Sequence, residues 1–119
     1  MEKQKLNHYK NVLTEQLDRL LVQAEISKAE LASEPNQEIE SLDRIVTHSN
    51  QALKLRFRSR ESRLIKKVRG ALDRIENGTY GECEDCEEPI SLKRLDARPV
   101  TTKCIECKEH EEQLEALMQ

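Results

Sequence analysis

Cys83-Glu84-Asp85-Cys86 and Cys104-Ile105-Glu106-Cys107, with seventeen residues between them, hold all four cysteines of the chain. Each C-x2-C knuckle can turn two thiolates toward one point, and a tetrahedral zinc ion takes four such donors at about 2.3 Å. The spacing falls inside the zinc-ribbon pattern. A disulfide framework suits short secreted domains, and no apolar signal segment accompanies Met1-Glu2-Lys3-Gln4-Lys5, so a reducing cytoplasm is the expected compartment. A thioredoxin-like redox pair would sit in a strand-helix-strand pattern, which the sequence lacks. Four thiolates leave no coordination position open, so one structural Zn2+ is expected rather than a catalytic ion. In so polar a segment the metal supplies on the order of 10 kcal/mol of apparent folding free energy.

Around this clamp the composition argues against one large core. The 119 residues are 36% charged, include only three aromatic side chains, and have a mean hydropathy of -0.80. An elongated chain without a membrane span is expected. The net charge of -3 conceals an asymmetry: residues 1–53 carry 6 basic and 9 acidic groups, 54–69 carry 8 and 1, and 70–119 carry 6 and 13. A duplex-binding module places its basic footprint on itself, whereas here the cysteine segment is the most acidic part. The pattern points to a protein partner, or to an anionic small ligand near residues 54–69.

Upstream, Leu6, Leu13, Leu17, Leu20, Ala24 and Leu31 repeat in three-, four- and seven-residue steps, the seam of a helix facing one partner helix. The first proline is Pro35 and the first glycine Gly70, so nothing breaks this helix before about residue 33. Ser33-Glu34-Pro35-Asn36 reads as a turn. A second stripe follows through Ile39, Leu42, Val46, Leu53, Phe57, Leu64, Val68, Leu72 and Ile75, and Asn77-Gly78 supplies a stop. The sequence therefore predicts a mainly α protein. A long antiparallel coiled-coil hairpin spans 1–77 with its tip near 34–45, and a small C4 zinc-ribbon region with a C-terminal helix spans 78–119. That last helix is expected over 109–119, with Leu114 and Leu117 on one side. Phe57 is expected in the helix seam, Tyr80 beside the knuckle, and His8, His48 and His110 at the surface. A dimerising coiled coil is the plain alternative. The stripe shifts phase around Leu53 to Leu64, and the basic run 54–69 would repel a symmetric copy of itself, so a monomer is expected.

From Cys83 to Cys107 the segment CEDCEEPISLKRLDARPVTTKCIEC resembles the DksA/TraR C4-type zinc finger throughout, with Ile90, Arg94 and Pro99 at fixed positions of that signature. Arg58-Ser-Arg60-Glu61-Ser-Arg63-Leu64-Ile65-Lys66-Lys67 resembles the second coiled-coil helix of the family, and Leu42-Asp43-Arg44 its tip. The resemblance implies a non-catalytic factor that binds bacterial RNA polymerase through the secondary channel and modulates initiation without contacting DNA. It also implies ppGpp as co-regulator in a stringent response. The family tip pattern D-x-x-D-x-A falls on Glu40, Asp43 and Ile45, of which Asp43 is identical and Ile45 puts a branched butyl group where the pattern has a methyl. The ppGpp contacts implied by the resemblance are Leu64, Lys67, Arg98 and Lys108. Arg56 and Arg60 match positions for polymerase contact or ligand response.

Two other classes give different expectations. Transcript-cleavage factors share this architecture and hold Mg2+ with tip carboxylates, a role open to Glu40 and Asp43. A coiled-coil scaffold would dimerise, and a nucleic-acid-binding zinc ribbon would need stacking aromatics that are scarce here.

Overall fold

The computed structural model describes residues 1–32 and 41–118, with side chains described over 1–31 and 48–118. Two long helices, α1 (Lys3–Ala32) and α2 (Ser41–Asn77), precede a short α3 (Leu92–Ala97) and α4 (Ile105–Leu117). The expected turn at Ser33 to Asn36 lies outside the described residues. The ion pair Lys10–Glu76 and the hydrogen bond Ser27–Glu61 each join α1 to α2. No described helix is long and apolar enough to cross a membrane.

The chain divides into two compact units. One joins Met1–Glu15 to Lys67–Gln119, and the other is Gln16–Lys66.

The first unit holds every fully buried apolar side chain among the described residues: Tyr9, Leu13, Val68, Ala71, Tyr80, Cys83, Ile90 and Leu95. Tyr9 and Leu13 reach these partners from the start of α1, one turn apart on one face, as the helical repeat requires. The Tyr9 hydroxyl donates to Asp96 Oδ1 at 2.6 Å, and its ring lies 5.6 Å from that of Tyr80. The Tyr80 hydroxyl in turn donates to the Pro99 carbonyl at 2.8 Å. Burial pushes both phenols up to about 12, aided at Tyr9 by the Asp96 hydrogen bond and carboxylate. Burial also lowers the Arg74 guanidinium, which donates to the Val100 carbonyl at 3.4 Å.

α2 stops where Asn77-Gly78 predicts. Gly78 takes a left-handed φ of 79°, and the N–H groups of Thr79 and Tyr80 close back on the Arg74 carbonyl. The expected ribbon is minimal, a single antiparallel bridge between Glu82 and Pro89. Cys83 N–H donates to Glu88 and Ile90 N–H to Gly81 on either side of it. Ser91 caps α3 by accepting from Arg94 N–H at 3.2 Å.

The C-terminal helix starts at Ile105 rather than Glu109, because Cys104 is its N-cap and the sulfur accepts from Cys107 N–H at 3.4 Å. Leu114 and Leu117 both face solvent.

In the second unit the seam is half-buried. On α1 it follows Leu17, Leu20, Ala24, Ser27 and Leu31 as the repeat predicts, with Ser27 added. On α2 the prediction needs correction: Leu53 and Phe57 are 48% and 53% exposed, and the covered positions are Gln51, Arg58, Glu61, Leu64 and Ile65. Gln51, Arg58 and Ile65 keep a strict seven-residue step, so polar side chains share the covered positions of α2 with Leu64 and Ile65.

Candidate metal centre and cationic groove

The four sulfurs come together from two directions. Cys83 and Cys86 belong to the loop before α3. There the carbonyl of Cys83 accepts from Glu87 N–H at 3.0 Å, and Glu87 takes φ 63° to complete the turn. Cys104 and Cys107 lie on the first turn of α4. Glu84 N–H donates to the Thr102 carbonyl at 2.8 Å and ties the two knuckles together.

All four Sγ atoms lie within 4.8 Å of one another, and Cys86 and Cys104 are 3.7 Å apart. Tetrahedral zinc with bonds of about 2.3 Å requires sulfurs roughly 3.8 Å apart, so the donor set fits the ion. Burial opposes ionisation of Cys83, but backbone N–H groups of Cys86, Cys104 and Asp85 outweigh it and bring the thiol down to about 6. Cys107 moves the other way, raised by its thiol neighbours Cys104 and Cys83 and by burial. Without a cation between them, thiolates this close repel, and they share protons instead. With four protein sulfurs filling a tetrahedral shell the site is structural: it cross-links the loop before α3 to α4.

A second feature of the same unit is a groove of about 280 Å³ whose lining includes Lys67, Arg94, Arg98, Lys103 and Lys108. It brings three of the four residues of the implied ppGpp set to one place: Lys67 from the end of α2, Arg98 just after α3, and Lys108 on α4. Leu64 belongs to the other unit, where it lines a separate groove with Leu20, Phe57 and Arg60. Arg56 is exposed. Asp43 and Ile45 fall in α2 with side chains outside the described residues, and Glu40 lies outside them entirely.

Lys103, Glu84 and Glu111 also line the cationic groove, and the sequence reading missed them. Lys103 Nζ sits 2.8 Å from Glu111 Oε2, 3.1 Å from Asp85 Oδ2 and 4.0 Å from Glu84 Oε1. Glu111 and Asp85 push its pKa up, and Lys103 in turn lowers that of Glu111. The available signal was its place beside Cys104 in a segment crowded with carboxylates. Arg94 is held by its Nε donating to the Lys103 carbonyl at 2.9 Å, which gives this signature position a structural task.

A family model described as DnaK suppressor protein DksA, N-terminal domain, matches residues 5–75, and one described as prokaryotic dksA/traR C4-type zinc finger matches residues 78–113. The RNA polymerase-binding transcription factor DksA of Caulobacter vibrioides is 36% identical over 115 residues, which cover 97% of this chain and 81% of that protein. Its Escherichia coli namesake is 32% identical over 108 residues, covering 91% and 72%. Among solved structures, transcription factor DksA2 from Pseudomonas aeruginosa matches with a TM-score of 0.88 and 32% identity, over 97% of this chain and 88% of that one. An RNA polymerase binding protein and transcriptional regulator, Dks, from Chlamydia trachomatis shares the fold at a TM-score of 0.53 and 21% identity, over 95% and 93%. These relatives are named as transcription factors, not as enzymes.

Proposed function

The chain belongs to the DksA/TraR family, and from that premise we propose that it is an RNA polymerase-binding transcription factor that acts through the secondary channel on initiation. It works in the cytoplasm as a monomer, performs no catalysis and does not contact DNA. Glu40, Asp43 and Ile45 make the tip contact with polymerase, and Arg56 and Arg60 add basic contacts along α2. The zinc centre holds α4 beside the loop that precedes α3.

Lys67, Arg98 and Lys108 bind ppGpp together with polymerase, with Leu64 as an apolar neighbour. The observation that carries this assignment is their meeting in one groove although they are far apart in sequence. Two pyrophosphate groups need converging cations, and three side chains from separate elements supply them.

Promoter-specific transcription with purified polymerase tests the reading. The wild type is expected to change output, more strongly with ppGpp present. Asp43→Asn is expected to abolish the effect while leaving polymerase binding in place, and Ile45→Ala to strengthen it. A protein that neither binds polymerase nor alters output under either condition would overturn the proposal.

A further inference from the structure

The cationic groove contains its own counter-anion. Glu111, on α4, places Oε2 at 2.8 Å from Lys103 Nζ and 3.8 Å from Lys108 Nζ, and that oxygen is shielded from solvent. Lys103 has other carboxylates within reach, Asp85 at 3.1 Å and Glu84 at 4.0 Å. Among the described residues Lys108 pairs with Glu111 alone. The pair is three residues apart on one helix, a spacing that puts both side chains on the same face.

A phosphoryl oxygen approaching Lys108 therefore meets an ammonium that is already partly neutralised, and it also meets the repulsion of a carboxylate lining the same cavity. We infer that Glu111 is an internal competitor for the anion-binding groove: from its place against Lys103 it also draws on Lys108 by charge at 3.8 Å, until a phosphate-rich ligand takes Lys108 from it. This rests on the reading of the groove as a phosphate site and adds its regulation. Glu111 makes the groove selective: a dense anion with several phosphoryl oxygens displaces the carboxylate, while a monoanion does not.

Titration of the zinc-loaded protein with inorganic pyrophosphate, followed through the ammonium resonances of its lysines, tests this directly. Glu111→Gln and Glu111→Ala are expected to bind pyrophosphate about threefold tighter than wild type, since the half-buried pair with Lys108, at 3.8 Å, is a weak one. Glu112→Gln, which changes net charge equally at an exposed neighbouring position, is expected to bind like wild type. Arg98→Ala is expected to weaken binding in every background.

Equal tightening in Glu112→Gln would reduce the effect to net charge and overturn the inference. Wild-type binding that depends on Arg98 but is unchanged by either Glu111 substitution would overturn the inference alone and leave the phosphate groove standing. No pyrophosphate binding by any variant would overturn the inference, and a ppGpp response of polymerase that is unchanged by Arg98→Ala would overturn the phosphate groove as well.

Discussion

Glu87 adopts φ 63° inside the first knuckle, a left-handed conformation that disfavours residues carrying a Cβ by about 1–2 kcal/mol. Glu87→Gly is therefore expected to raise the stability of the zinc-loaded protein by about 1 kcal/mol in chemical denaturation, without altering metal stoichiometry. Tyr9 illustrates a different residue-level effect. Its folded pKa, near 12, lies above the ordinary 10, so the folded state prefers the neutral phenol. That contribution is fully present below pH 10 and is lost as pH rises through 12. Denaturation midpoints measured between pH 9 and 12.5 are expected to fall more steeply in wild type than in Tyr9→Phe. At neutral pH the variant is expected to lose about 1 kcal/mol with the Asp96 hydrogen bond.

At the scale of elements, α2 shows where an apolar pattern misleads. Leu53 and Phe57 follow a helical step yet are about half exposed, while Gln51, Arg58 and Glu61 are partly covered. The seven-residue spacing of Gln51, Arg58, Ile65 and Leu72 was present in the sequence, but it reads as a seam only when polar residues are allowed into it. Glu61 accepts from Ser27 Oγ at 3.1 Å through one oxygen, while its other oxygen is buried without a hydrogen bond. Glu61→Leu removes that unsatisfied group and adds apolar contact, and is expected to stabilise the unit Gln16–Lys66 by about 1 kcal/mol. Slower amide exchange confined to residues 16–66 would confirm it, and faster exchange would refute it. The early start of α4 was hidden for a related reason. Cysteine is not among the preferred capping residues, so Cys104 gave no helix-start signal, although its sulfur accepts the bond that a serine hydroxyl would.

For the molecule as a whole, the four cysteines and the Asn77-Gly78 stop were legible because each is a local code with few alternative meanings. The clustering of Lys67, Arg98 and Lys108 was legible only through family positions, since periodicity says nothing about which helix ends meet. Glu111 was not legible at all, because its role depends on how α4 approaches Lys103. Zinc removal is expected to act unevenly. The metal ties the knuckle loop to α4, so chelation should abolish exchange protection in α3 and α4 while leaving residues 16–66 much less affected. Elemental analysis should find one zinc per chain before treatment, and uniform loss of protection everywhere would contradict the division into two units.

The unit that contains the metal centre is discontinuous in sequence: it joins Met1–Glu15 to Lys67–Gln119, and Tyr9 finds Asp96 only after some eighty residues. At ribosomal speeds of about 5–20 residues per second, the nascent amino-terminal helix waits roughly 4 to 16 s with its apolar side unsheltered. Until translation delivers the cysteines, that helix is a natural client for a holding chaperone.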